Sequence, residues 1–114
     1  MDWSKFTLAS LDHVTVLGQT VKVIHRKPKK SSYGEYDCAK REIYLNKDLK
    51  GMFALRVLLH EMKHAELRLA GMDYHLSEPV EEQLCTLAES TGVEILGLVF
   101  NLVLGSDENG NNFQ

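Results

Sequence analysis

The chain is poor in residues that would staple or interrupt it, with two cysteines, two prolines and one tryptophan in 114 positions. Cys38 and Cys85 form no C-x-x-C pair, so neither a disulfide framework nor a thiolate zinc cluster is expected, and two isolated thiols fit a reducing, cytoplasmic compartment. Cys85, among apolar neighbours, reads as a small buried hydrophobe. No run of roughly 20 apolar residues is present, since the most hydrophobic stretch, Val93 to Leu104, is interrupted by Glu94 and Asn101, so no membrane span is expected. The opening Met1-Asp2-Trp3-Ser4-Lys5 lacks the basic segment and apolar run of a secretory signal. There are no internal repeats. A formal charge of -3, 44% apolar and 25% charged residues are ordinary for one soluble domain.

What the chain does carry is Leu58-Leu59-His60-Glu61-Met62-Lys63-His64, inside an apolar-periodic run from about Leu49 to Ala70. On a helix, histidines four residues apart fall on one face, and their nitrogens can converge on one Zn²⁺. Glu61, about 100° round from His60, is placed to act as general base toward a water on the metal. Apolar residues cover much of the rest of the wheel, so the helix is buried on several faces and its imidazoles need partners. Without a metal, the same pattern would be a solvated or hydrogen-bonded histidine pair.

Along the chain, Trp3, Phe6, Leu8 and Leu11 form a short helical turn or a docked arm. From Val14 the texture is β, with a break at Gly18-Gln19 and then the β-branched run Thr20 to His25. Tyr33 to Cys38 and Glu42 to Asn46 alternate on either side of a polar turn, which predicts a hairpin. The expectation is an α+β domain, a small antiparallel sheet of about three strands packed on two long helices. Asn46 or Asp48 caps the first helix, which runs to Gly71. Ser77 caps the second, with Glu78 and Pro79 in its first turn and its end near Val103. One domain over residues 1–105 is expected, followed by a flexible polar tail over 106–114.

A hydrolytic zinc site needs a third protein ligand and an open position. The second helix carries Glu78, Glu81, Glu82, Glu89 and Glu94. Its apolar arc contains Leu84, Leu87, Ala88, Thr91, Ile95 and Leu98, which places Glu81 on the arc's edge and Glu82 and Glu89 near the far side. If the arc faces inward, Glu81 is the third ligand; Glu82 is the substitute that a small rotation would bring in, and Glu78 follows. His75 and Tyr74 between the helices, and Tyr36 or Tyr33 from the sheet, are candidate donors to a developing oxyanion. Asn46 and Asp73 are candidates to orient a ligand histidine through its second nitrogen. His13 and His25 are not expected to bind metal.

With these residues in view, the chain resembles the small phage and prophage zincins related to the ImmA/IrrE metallo-endopeptidases. The likeness spans about Tyr33 to Leu98, through Tyr33-Gly34-Glu35-Tyr36-Asp37, Ile43-Tyr44-Leu45-Asn46, Val57 to Ala65 and Glu81 to Ala88. It implies a minimal zincin-like domain in which His60, His64 and Glu81 bind zinc and Glu61 is the base. Leu84 and Cys85 depart from the small residue and Asn that better-known relatives carry three and four positions after the ligand.

The function expected is peptide-bond hydrolysis by a gluzincin-like zinc metallopeptidase acting on a peptide or protein, such as a regulator. A zinc-stabilised protein-binding domain that cuts nothing is the alternative, marked by a fourth protein ligand such as Glu82 or His75. A third reading is nucleic-acid binding through the basic loop of Lys22, Arg26, Lys27, Lys29 and Lys30, against which stand the acidic net charge and the lack of a recognition-helix pattern.

Overall fold

The computed structural model describes residues 3–27 and 32–108. A 3-10 turn at Trp3–Lys5 leads to strands β1 (His13–Val16), β2 (Gln19–Arg26), β3 (Gly34–Asp37) and β4 (Glu42–Asn46). Helix α1 (Gly51–Leu69), a 3-10 turn at Met72–Tyr74 and helix α2 (Glu78–Glu108) complete the chain. This is the α+β architecture read from the sequence. Lys29 and Lys30 of the basic loop, and residues 109–114 of the expected tail, lie outside the described residues; α2 itself continues beyond Val103 to Glu108.

The sheet has four strands in the order β1-β2-β4-β3. Two hairpins supply the antiparallel pairs, β1 with β2 and β3 with β4, and β2 joins β4 in parallel. The first hairpin turns on Leu17 and Gly18, both at positive φ (49° and 75°), which suits the twist of a two-residue turn. The parallel pair adds to the antiparallel sheet of about three strands that alternation alone suggests, and burial explains it. Ile43 and Leu45 of β4 are fully buried, so β4 takes the centre, whereas no residue of β3 is fully buried and β3 takes the edge.

The core lies between this sheet and α1. Val21 and Val23 alternate inward from β2, Ile43 and Leu45 from β4, and they meet Ala54, Val57, Leu58 and Ala65 of α1. Each fully buried aliphatic side chain contributes about 1.5–3 kcal/mol. Along α1 the buried positions Ala54, Leu58, Glu61 and Ala65 recur at helical spacing, so a carboxylate occupies one place in an otherwise apolar stripe. The helix begins at Gly51, at φ 65°, whose amide donates to the Phe6 carbonyl at 2.7 Å. Asn46 does not cap it. Its Oδ1 accepts from the Asp48 amide at 2.8 Å within the preceding turn. Gly71, at φ 74°, ends the helix two residues past Leu69 by turning the chain left-handed.

Helix α2 starts as its sequence predicts, with the Ser77 hydroxyl accepting from the Val80 amide at 3.4 Å. Its rotation is the main departure from expectation. The face against α1 carries Glu81, Cys85 and Gly92, and a Cβ on Gly92 would stand 2.7 Å from Leu59 Cδ1. The apolar arc is turned outward instead, with Leu87 63%, Leu98 56% and Ile95 55% exposed. Small residues permit the closer helix approach, and the acidic residues follow them inward. Over Glu78–Leu102, α2 has the length and apolar content of a membrane-crossing helix, which no segment was expected to have. Its acidic, site-facing side is nevertheless packed on α1.

Candidate metal centre

A cleft of about 970 Å³ runs between edge strand β3, the exposed flank of α1 and the first turns of α2. His60 and His64 stand one turn apart on α1, their ring centroids 5.1 Å apart. Glu82 of α2 lies across both: its Oε2 is 3.1 Å from His60 Nε2 and its Oε1 2.9 Å from His64 Nε2. The opposite ring nitrogens meet other carboxylates. His64 Nδ1 donates to Glu81 Oε2 at 2.6 Å, and His60 Nδ1 is 3.9 Å from Glu89 Oε2.

Both glutamates singled out in the sequence reach the histidines, Glu81 at one nitrogen of His64 and Glu82 at a nitrogen of each ring. Glu81 is on the Nδ1 side of His64, 5% exposed, where Arg68 Nη2 lies 3.4 Å from its other oxygen and Arg68 Nη1 lies 3.8 Å from Asp73 Oδ2. Glu82 occupies the place between the two Nε2 atoms. The cause is the rotation of α2, because the wheel that selects Glu81 assumes that the most apolar arc faces inward.

The donor set fits a divalent cation. A hydrogen bond from Nδ1 to Glu81 leaves His64 Nε2 as the lone-pair nitrogen, and with the second imidazole and a carboxylate beside it the cluster can offer a cation nitrogen and oxygen donors. Cys85 adds a donor that the sequence reading passed over. One ligand atom from each of His60, His64 and Cys85 lies within 4.8 Å of the others, and these three can hold a metal ion. Its thiol is fully buried, and desolvation, then the negative charges of Glu82, Glu81 and Glu61, push its pKa up to about 12. Glu82, whose carboxylate touches both imidazoles, stands beside these three as a further oxygen donor. No spacing rule points to Cys85; only the turn that separates it from Glu82 on α2 could have raised it.

Glu61 is buried at the floor of the cleft. Burial, opposed by the positive influence of His64, raises its carboxyl pKa to about 7. Gly34 permits β3 to pass close by: a Cβ there would be 2.9 Å from Val57 Cγ1 and 3.1 Å from Glu61 Cγ. Tyr36, from the same strand, lines the cleft, and its hydroxyl is buried with no hydrogen-bond partner among the described residues. Desolvation, the largest influence on it, raises its pKa and keeps it a neutral donor.

Other sequence candidates are placed elsewhere. Tyr74 is 87% exposed on the turn after α1, His75 is exposed beside it, and neither lines the cleft. The left-handed Gly71 turns this connection aside, so neither candidate oxyanion donor lies in the cleft. Glu78 is exposed and outside the cleft. Asp73 reaches the site only through Arg68, and Asn46 is occupied in its turn. His13 pairs with Asp12 at 2.6 Å, and His25 Nε2 lies 2.8 Å from the Leu11 carbonyl oxygen. In the basic loop, Arg26 is held by Glu35 at 2.6 Å and stacks over the Tyr44 ring at 4.5 Å.

Comparison of the chain with family models, with curated proteins and with solved structures gives no match. What the chain has in common with zincins is therefore the H-E-x-x-H helix and a compact cluster of metal-capable side chains.

Proposed function

We propose that the protein is a zinc-dependent peptidase in which His60, His64 and Glu82 hold the metal, and that it belongs with the ImmA/IrrE-like zincins its motifs resemble. The observation that carries this reading is the Glu82 carboxylate lying across both Nε2 atoms, beside a buried Glu61 whose pKa is near neutrality. A zinc ion in this position would supply Lewis acidity, acidifying water and polarising a scissile carbonyl.

The chain's own residues account for the other requirements of hydrolysis. Glu61 accepts the proton of the attacking water and returns it to the leaving amine as the C–N bond breaks; a carboxyl titrating near neutrality is suited to both transfers. Tyr36 donates its unpaired hydroxyl to the oxygen of the attacked carbonyl. Glu81, backed by Arg68, fixes the ring orientation and tautomer of His64. Edge strand β3 recruits the substrate. The Asn46 amide donates to the Tyr33 carbonyl, and alternation along the β4 ladder leaves the peptide groups of Tyr36 on the open edge, where an extended peptide can pair. Tyr33 and Phe53, packed edge to face at 4.8 Å and both exposed, form an apolar end of the same cleft.

The test is cleavage of a mixed peptide library by zinc-loaded protein, with bound metal measured in parallel. Wild type is expected to cleave, and Glu61→Gln to retain zinc while losing turnover; equal cleavage by the variant would remove Glu61 from its role. A second reading is supported by the position of Cys85. If the thiol binds together with Glu82, four protein ligands close the site and zinc is structural. Cys85→Ala separates the two, since zinc affinity is unchanged if the thiol is not a ligand and falls if it is the fourth one.

A further inference from the structure

The outward arc of α2 carries an internal symmetry. Val80, Leu84, Leu87, Thr91, Ile95, Leu98 and Leu102 follow one another at spacings of 4, 3, 4, 4, 3 and 4. The pattern reads the same from either end, with Thr91 at its middle. It is also an 11-residue repeat, 80 to 91 to 102, which keeps a stripe aligned along a nearly straight helix. Val80, Leu87, Ile95, Leu98 and Leu102 are 41% to 63% exposed, and none belongs to the core or lines the cleft.

We propose that this stripe is the interface of an antiparallel, two-fold symmetric dimer of this chain, with Thr91 of each copy on the axis. Closed two-fold interfaces require a surface complementary to itself. In this register Val80 of each copy meets Leu102 of the other, Leu84 meets Leu98, Leu87 meets Ile95 and Thr91 meets Thr91, so every apolar position finds an apolar partner. The stripe extends about 33 Å at 1.5 Å per residue. It exposes on the order of 600 Å² per chain, so a pair buries about 1,200 Å², the lower limit of a specific interface.

Charge selects the antiparallel sense. From Val80 to Leu102 there is no lysine or arginine, and Glu81, Glu82, Glu89 and Glu94 all precede Ile95. Because Glu81, Glu82 and Glu89 belong to the inner face, the carboxylate nearest the stripe is the exposed Glu94; antiparallel pairing lays it near Ala88 of the second helix and opposes the helix dipoles, whereas parallel pairing would bring Glu94 against Glu94. Insertion into a bilayer is disfavoured by the same helix, because Glu81 is buried against α1 and Glu82 and Glu89 line the cleft. The proposal is independent of the metal reading.

The experiment combines sedimentation equilibrium of the full chain with cysteine cross-linking in a Cys38→Ser background, because Cys38 is exposed and Cys85 buried. The expected result is a dimer, and Leu98→Lys should weaken it at least tenfold with the circular dichroism unchanged, since Leu98 is exposed in the single chain. Under mild oxidation Thr91→Cys should cross-link to itself. Leu98→Cys alone should not, because its counterpart in the antiparallel register is about 21 Å away along the helix axis. A monomer across the micromolar range, equal cross-linking of Leu98→Cys, or binding to phospholipid vesicles without self-association would each overturn the proposal.

Discussion

The two faces of helix α2 invert the usual division of labour. Its inner face is small and acidic, with Glu81, Glu82, Cys85, Glu89 and Gly92, and its outer face is the most apolar stripe on that helix. Helix α1 behaves in the ordinary way, burying Ala54, Leu58 and Ala65 against the sheet. The contrast teaches that hydrophobicity orients a helix only where apolar burial is the largest gain available. In α2, Gly92 packs closely on Leu59 of α1 and a set of carboxylates faces two imidazoles, while the aliphatic stripe stays exposed.

Substitutions on and facing the two surfaces of α2 should differ sharply. The largest effect is expected opposite the inner face. Glu61→Gln should reduce peptide cleavage at least about 10²–10³-fold with zinc retained, read by turnover and elemental analysis. The same variant has a signature in the metal-free protein. The folded-state pKa of Glu61, about 7, lies above its ordinary value of 4.5. The folded protein therefore holds a proton that the unfolded chain has released, so stability falls as pH rises from about 4.5 to about 7 and is level above. Glu61→Gln should flatten that fall and melt later than wild type at pH 8, by up to about 3 kcal/mol, in chelator-treated protein followed by thermal unfolding.

Next in size are the two glutamates. Glu82→Ala should release zinc to a chelator at least about 100-fold more readily. Glu81→Gln, which disturbs only the partner of His64 Nδ1, should cost about 10- to 100-fold in affinity. The reverse order would restore Glu81 to the metal. Gly92→Ala drives a methyl against Leu59 and should cost about 1–2 kcal/mol in denaturant unfolding, moderated by the freedom of the Leu59 tip. The smallest effect belongs to the outer face. Leu87→Ala should change the unfolding free energy of the single chain by no more than about 0.5 kcal/mol, where Ile43→Ala in the core should cost about 2–5 kcal/mol.

The sequence made legible whatever depended on local periodicity. The α+β class, the His60-Glu61-x-x-His64 helix, the alternation that buries Ile43 and Leu45, and the cap at Ser77 all follow from spacing and side-chain chemistry. Tyr36 was within reach as a cleft residue, although its buried, unpaired hydroxyl emerges only from the packing of β3 against α1. The parallel join of β2 to β4 was not legible, because strand order depends on competition for the centre of the sheet. That Glu82 also reaches both histidines has a similar origin: adjacent residues differ by about 100°, and the wheel cannot give the helix its rotation. Cys85 is buried as its neighbours predict, but its place among the metal-capable side chains arises only through packing between helices.

In the peptidase proposed above, zinc is held by two imidazoles and the Glu82 carboxylate, with Cys85 outside the ligand set. Zinc-edge X-ray absorption of the loaded protein tests it most directly. The expected spectrum shows only nitrogen and oxygen neighbours at about 2.0–2.2 Å, and a zinc–sulfur distance of about 2.3 Å would put Cys85 among the ligands and overturn the proposal.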